Sequence, residues 1–462
     1  MDGPKQSSPM AERRYLFFLR HYNDIDNIAP AIYFFLVQSP AHQADVVIYS
    51  DDYDFTADEN IDFLQQQFPE RFTCRWLGGF LGWTFRAPPS SPQAAKKPPS
   101  LLRELMQPVI RRLPTRLKGK VKSKKRALKS KKSAQQGVSR LAEALADFLV
   151  EPVPPSLIIF DVNRSANMPS LLQSLRQQYQ GEIICLPVSP LISYNVLRQI
   201  DFYSVFSDEF RKAHDYSAFD AIGMVDTYFS DSYDDLLKRL GSDLNLGDRV
   251  ARLGSIRFCK DWLQVRTQYI PSPPALPREA PLRVAVLLSR ALSNLNTSEL
   301  AASLRILAQF PEVSVVIKGH TRDVGFSADT RDEFGQNISV NNEWSSSTLL
   351  DWADLVIFWG SSMALEGYVK GKTMICLDYM ASNKNLYATY SAGHVASCRD
   401  DLLKIVLHYA REQGEMTYHQ EGCDKLIQDV VYAGDHNNHI PSRYLAFMAA
   451  HERQRSSAGT DK

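Results

Sequence analysis

Ala353-Asp354-Leu355-Val356-Ile357-Phe358-Trp359-Gly360-Ser361-Ser362-Met363-Ala364-Leu365-Glu366 is the stretch that decides the fold class. An apolar, β-favouring run enters a Gly-Ser-Ser turn, and a helix-spaced segment leaves it. Small residues at such a turn let the backbone approach a ligand. The first N–H groups of the following helix favour a phosphate there. A plainer reading makes Ser361 or Ser362 the helix cap. Glu366 is not explained by a capping box, because Ala364 and Leu365 occupy the positions three residues after the two serines. A carboxylate one turn into the helix can accept hydrogen bonds from both hydroxyls of a ribose.

Outward from this stretch the same alternation repeats. Strands are expected at Arg283–Leu288, Val313–Lys318, Ile338–Val340, Asp354–Phe358 and Thr373–Leu377, with helices at Ser298–Phe310, Ser347–Trp352 and Met363–Lys370. Nearer the N-terminus, Tyr15–Leu19, Ile28–Val37 and Val46–Tyr49 read as β-α-β, which implies a parallel pair with a right-handed crossover. Leu157–Phe160, Met168–Tyr179 and Glu182–Leu186 continue the series. Phe202–Phe206 reads as a further strand leading into a helix at Asp208–His214. The run Ile270-Pro271-Ser272-Pro273-Pro274-Ala275-Leu276-Pro277 is a stiff linker. The expected division is a first α/β domain over 1–265, a linker over 266–281, a second α/β domain over 282–437, and a C-terminal helix and tail over 438–462.

At 462 residues the chain has room for two such domains and an insertion. It contains no apolar run long enough to cross a membrane as a helix. Met1 to Glu12 lacks the apolar core of a secretory signal. Six scattered cysteines without paired or Cys/His spacing are expected to be reduced thiols, and no metal site is expected. The net charge of +1 conceals an asymmetry: Lys96 to Lys132 holds fifteen Lys/Arg against one acid, Glu104. This stretch lies in an insertion at about 88–135. It opens on five prolines between Ala87 and Ser100, continues with a helical apolar stripe in Leu101–Leu117, and ends in nearly pure Lys/Arg. Two readings stand for 101–132: a solvated loop, or an amphipathic and polybasic surface for anionic lipid. No aromatic platform accompanies the charge, so no specific nucleic acid is expected.

Strand ends supply the candidate chemistry, because ligands of open parallel sheets bind beyond the carboxyl ends of the strands. Lys318, His320 and Arg322 follow one strand and together can neutralise a diphosphate or a departing nucleotide. Ser289, Arg290 and Asn294 follow another and are phosphate candidates, with ordinary loop chemistry as the alternative. Beyond the first strand, Asp24 and His21 could take a proton from an acceptor hydroxyl, or be ordinary loop polar groups. Asp161, Asn163 and Arg164 hold the same position after a later strand. His394, His408, His419, His436 and His439 show no ligand spacing and are expected to be structural.

The order of elements, with a small-residue turn followed by Glu366, resembles the second domain of GT-B glycosyltransferases, built from two Rossmann-like domains. Val315-Val316-Ile317-Lys318-Gly319-His320-Thr321-Arg322, the segment from Trp359 to Lys372, and Leu377-Asp378-Tyr379 with Tyr387 resemble motifs of bacterial surface-carbohydrate and CDP-glycerol glycerophosphotransferase-like proteins. Leu253-Gly254-Ser255-Ile256-Arg257-Phe258-Cys259-Lys260-Asp261-Trp262 is similar to a stretch closing the first domain in capsule polysaccharide proteins. Thr321, Trp359 and Thr373 depart from those patterns. The resemblance implies a metal-independent transferase of surface polysaccharide assembly that needs no cofactor. Its donor would be CMP-, CDP-, UDP- or GDP-linked, with phosphates on Gly360, Ser361, Ser362 and the Lys318/His320 loop, and ribose on Glu366. A glycan or lipid-linked acceptor would meet the first domain. The expected location is the cytoplasm, peripheral to the inner face of the cell membrane. A nucleotide-sugar 2-epimerase of the same fold and a non-catalytic assembly protein at the membrane surface are the rival expectations.

Overall fold

The computed structural model describes residues 12–49, 53–77, 145–146, 149, 153–161, 168–187, 193–194, 219–225, 249–273, 282–288, 296–319, 337–380, 384–411, 416–435 and 438–452. The expected insertion at 88–135, the strand and helix at 202–214, and most of the proline linker lie outside these residues.

In the first domain the strands are β1 (Arg13–Leu19), β2 (His42–Ile48), β3 (Phe72–Trp76), β4 (Leu157–Asp161), β5 (Ile183–Leu186), β7 (Ala221–Met224) and β8 (Val250–Arg252). They form one sheet in the order β3-β2-β1-β4-β5-β7-β8. Every neighbouring pair is parallel. In the second domain β9 (Leu282–Leu287), β10 (Val313–Lys318), β11 (Ile338–Val340), β12 (Leu355–Phe358), β13 (Thr373–Leu377) and β15 (His394–Ala396) form a sheet in the order β11-β10-β9-β12-β13-β15. It too is entirely parallel. The central strands read as near-continuous apolar runs because both faces are covered, and β4, β5 and β12 are buried along their whole length. Two residues of β14 (Lys384–Asn385) pair antiparallel with β6 (Ser193–Tyr194), a contact between the domains.

Helix α1 (Tyr22–Gln38) buries Ile25, Ile28, Ala29, Ile32, Phe35 and Leu36, the i, i+3, i+4 spacing of one helical face. It starts six residues before the apolar periodicity becomes visible in the sequence. The first turn, Tyr22-Asn23-Asp24-Ile25, is mostly polar, and Pro30 sits inside the helix, where it removes one backbone donor. Helix α2 (Glu59–Gln67) packs beside α1, and α3 (Met168–Gln178) covers the opposite face of the sheet, with Leu171 and Leu175 in one cluster with Leu16, Phe18 and Phe160. A 3₁₀ turn at Ile256–Phe258 and helix α4 (Lys260–Arg266) close the first domain. Trp262 of α4 is 1% exposed and lies among Tyr33, Phe34 and Phe63, so α4 belongs to the first domain's body.

Around the second sheet lie α5 (Thr297–Leu307), α6 (Ser346–Trp352), α7 (Ala364–Val369), α8 (Leu386–Thr389), α9 (Arg399–Arg411) and α10 (Gln420–Leu426). The last helix, α11 (Ile440–Ala450), returns to the first domain and packs on α1. There Tyr444 donates to the Gly254 carbonyl at 2.8 Å and Arg13 pairs with Glu452 at 3.0 Å. One apolar core runs through both domains, from Phe17 and Ile28 through Trp262 to Val356, Leu365 and Tyr444. All six cysteines are free thiols.

Candidate functional site in the cleft

Both sheets reverse their strand order at one place, between β1 and β4 in the first and between β9 and β12 in the second. At such a point the loops leave in opposite directions and open a crevice at the carboxyl ends of the strands. The segments bordering these crevices are the Arg20–Asp24 turn and Asp161 on one side, and Leu288 with the Gly360–Met363 turn on the other.

Gly360 takes φ +56°, in the left-handed region that glycine enters without a Cβ penalty. It turns the chain out of β12, and Tyr387, fully buried, fixes the turn by donating to the Ser361 carbonyl at 2.8 Å. Helix α7 begins with Met363 at its N-cap and no side-chain cap bond. Neither serine therefore caps it. The hydroxyls of Ser361 and Ser362 have no hydrogen-bond partner among the described residues. Trp359, 3% exposed, lines a small apolar cavity of about 10 Å3 with Leu288, Phe358, Leu377 and Met380, and its indole N–H has no partner there.

Glu366 occupies a place the sequence does not foresee. It is 0% exposed, and both its carboxylate oxygens are already engaged. Oε2 pairs with Arg266 of α4 at 2.8 Å, Oε1 pairs with Lys370 at 2.8 Å, and Ser347 also donates to Oε1. Burial pushes the Glu366 carboxyl up, but Arg266 and then Lys370 and Ser347 overcome it and hold it at about 2. Burial lowers the Arg266 guanidinium, but Glu366, Tyr269 and Asp26 together outweigh it and leave it above its ordinary value. As placed, Glu366 ties the second domain to α4 of the first. The sequence shows the acid and its helix but not Arg266, a hundred residues away.

Lys318 is likewise committed. Its ammonium donates to the carbonyl of Asn342 at 2.8 Å and to that of Trp344, bracing the turn before α6. Burial lowers its pKa, opposed by the Glu59 carboxylate of the first domain. His320, Arg322, Ser289, Arg290, Asn294, Asn163 and Arg164 lie outside the described residues, as does His436. His394 is buried against Tyr409 at 2.8 Å, and burial, with His408 and His419 nearby, holds its ring near 4.

On the first-domain side, His21 and Asp24 are the N-terminal cap of α1 and not loop residues. Asp24, 0% exposed, accepts the backbone N–H groups of Arg20 and His21 at 3.2 Å each. His21 Nδ1 faces the Asn23 N–H at 3.2 Å and Nε2 faces Arg20 at 2.8 Å. A neutral imidazole accepts at one nitrogen only, so the ring serves either the cap or Arg20 according to its tautomer. Asp161, 0% exposed, accepts from Tyr49 at 3.1 Å. Burial, then Asp161 and Asp24, raise the Tyr49 phenol well above its ordinary value. Arg20, Asp24, Tyr49 and Asp161 thus form one polar cluster at the reversal point of the first sheet. Tyr49 is the member that sequence reasoning leaves as the mere end of a strand.

Further polar side chains cluster between α1, α2 and the end of the first domain. Asp26, in the first turn and a half of α1, accepts from Asn60 at 2.9 Å and pairs with Arg257 at 3.0 Å. Asn60 accepts in turn from Tyr269 at 2.8 Å. Arg257 also reaches the Met363 sulfur at 3.3 Å, so one guanidinium spans from α1 to the Gly360–Met363 turn. Asp58, the cap of α2, accepts from Tyr53 and from the N–H groups of Asn60 and Ile61. Burial and the nearby Asp26 push its carboxyl up to about 6. Among the described residues no cluster of His, Cys, Asp and Glu could hold a metal ion, and no helix is long and apolar enough to cross a membrane.

No protein-family model matches the chain, and no curated protein matches it in sequence. The likeness to CDP-glycerol glycerophosphotransferase-like proteins therefore rests on the short motifs alone. Solved structures match over nearly the whole length. UDP-GlcNAc 2-epimerase from Neisseria meningitidis bound to UDP-GlcNAc aligns with a TM-score of 0.54 at 11% identity, covering 95% of this chain and 99% of that one. UGT89C1 of Arabidopsis thaliana complexed with UDP-L-rhamnose gives 0.52 at 13%, covering 96% and 99%. The UDP co-structure of MnaA from S. aureus gives 0.50 at 9%, covering 96% and 99%. Two parallel sheets with matching strand order, joined across a cleft, are the two-domain Rossmann-like architecture of these structures, and this chain has the GT-B fold.

Proposed function

We propose that this chain is an enzyme acting on a nucleotide-activated sugar or glycerol, and that it is a transferase of surface polysaccharide assembly. The observation that carries the reading is the placement of the two reversal points. Arg257 contacts Asp26 beside one and Met363 beside the other, so both crevices open into the same cleft. The donor phosphates would lie on the Gly360–Ser362 turn, whose backbone is bent open and whose serine hydroxyls are uncommitted. His320 and Arg322 would add positive charge from the end of β10. The acceptor hydroxyl would approach from the Arg20–Asp161 cluster. Its oxygen would attack the anomeric carbon or phosphorus, its proton would pass to a base of that cluster, and the bond to the departing nucleotide would break. Asp24 and Asp161 are held by their cap and tyrosine contacts, and the more exposed His21 is the candidate base.

The epimerase reading is supported by one finding: several of the structures that align along nearly the whole chain are UDP-GlcNAc 2-epimerases, one of them bound to UDP-GlcNAc. A thermal-shift screen against CMP, CDP, UDP and GDP tests the common ground. At least one should raise the melting temperature, and a flat response to all four sinks the nucleotide reading. Incubating the protein with UDP-GlcNAc alone then separates the two chemistries. A 2-epimer formed without acceptor establishes the epimerase and overturns the transferase. We further propose that residues 101–132 hold the enzyme on anionic lipid. Their deletion should abolish sedimentation with phosphatidylserine vesicles at low salt, and equal sedimentation removes the membrane contact.

A further inference from the structure

Arg257 is chemically under-used where it stands. Its side chain is 11% exposed and leaves the 3₁₀ turn at the end of the first domain. The planar guanidinium offers five N–H donors. Among the described residues its polar contacts are made by Nη2 alone, to Asp26 Oδ2 at 3.0 Å and Met363 Sδ at 3.3 Å, while the guanidinium carbon lies 5.1 Å from the Phe258 ring centroid. A thioether sulfur is a weak acceptor, so part of a nearly buried cation rests on a poor partner. Met363 closes the turn that holds Ser361 and Ser362. A phosphate oxygen on that turn would be a far stronger acceptor and would suit the bidentate fork of arginine.

We propose that Arg257, supplied by the first domain, binds the diphosphate of a nucleotide seated on the Gly360–Ser362 turn of the second. This rests on the nucleotide reading above. It makes the phosphate site a composite of both domains, complete only when they are together. Asp26 is then a competitor: its carboxylate holds the guanidinium in the absence of an anion and repels an incoming phosphate. The Gly360–Ser362 turn supplies shape and hydroxyl donors, and Arg257 supplies charge.

The roles can be separated by calorimetric titration of the full-length protein with UDP, CDP, GDP and inorganic pyrophosphate, with uridine, cytidine and guanosine as phosphate-free controls. Arg257→Ala should weaken the diphosphates and pyrophosphate by about 10- to 100-fold, the range of a hydrogen-bonded charge contact, and leave the nucleosides unchanged. Arg257→Lys, which keeps the charge and loses the fork, should recover part of the affinity. Asp26→Asn should bind diphosphates as tightly as the wild type or tighter, because the competitor is gone. If the ion pair were only structural, Asp26→Asn would lose as much affinity as Arg257→Ala, and that result overturns the proposal. Wild-type affinity in a folded Arg257→Ala overturns it too while leaving the nucleotide reading intact. Should Arg257→Ala fail to fold, the Arg257→Lys and Asp26→Asn pair still decides. Should neither nucleotide nor pyrophosphate bind the wild type, both proposals fall together.

Discussion

Replacing Glu366 by glutamine removes one charge and almost no volume from the most buried ionic cluster at the domain junction. A carboxyl held at about 2 against an ordinary 4.5 corresponds to about 3 kcal/mol of linkage between ionisation and folding. Breaking one partner of a buried pair costs about 3–5 kcal/mol by a separate route, since it strands Arg266, only 13% exposed. The two figures agree in scale. The sign follows from the depressed pKa: the contribution is fully present above the unfolded value near 4.5 and is lost as pH falls from there toward 2. Urea unfolding followed by tryptophan fluorescence should therefore show Glu366→Gln losing about 3 kcal/mol at pH 7 and progressively less below pH 4.5. Arg266→Met combined with Glu366→Gln should lose less than Glu366→Gln alone, because no buried charge is then left opposite an amide. Wild-type stability at pH 7, with nucleotide binding alone reduced, would refute the clasp and favour the ribose assignment.

Asp58 has the opposite sign. Its carboxyl is raised from 3.8 to about 6, so stability is highest below the unfolded value and declines as pH rises toward the folded one. Asp58→Asn keeps the α2 cap and should gain about 1–3 kcal/mol at pH 8, a gain that vanishes near pH 4 and that urea titrations at the two pH values would detect. Gly254 sits at φ +79°, and a Cβ there would lie 2.6 Å from the Val431 carbonyl oxygen. Gly254→Ala should cost at least about 1–3 kcal/mol from backbone strain alone, read as a lower unfolding midpoint; an unchanged midpoint contradicts the packing described.

Much of the fold is legible because parallel sheets write themselves as apolar blocks. Val313–Lys318, Ile338–Val340 and Thr373–Leu377 fall where their runs predict. Phe72–Trp76 escapes because Thr73, Cys74 and Arg75 break its run, and Ala221–Met224 and Val250–Arg252 are too short to signal. The start of α1 is hidden for a different reason: a helix cap is made of polar residues, and His21 to Asp24 look like a loop until their hydrogen bonds are seen. In the site, the Gly360–Ser362 turn is local chemistry and readable. Arg257 with Asp26, Arg266 with Glu366, and Tyr49 with Asp161 join residues far apart in sequence, and nothing in a single sequence announces such pairs.

The return of α11 to the first domain has a consequence for biosynthesis. The chain returns from the second domain against the first, with the Ser255 N–H on the Val431 carbonyl at 2.7 Å. The second domain is therefore a guest inserted into its host between α4 and α11. Ile440, Tyr444 and Met448 are buried parts of the host's own core. During translation all seven host strands emerge before the guest begins, yet the host keeps an open flank on α1 until the guest has been made and α11 follows it.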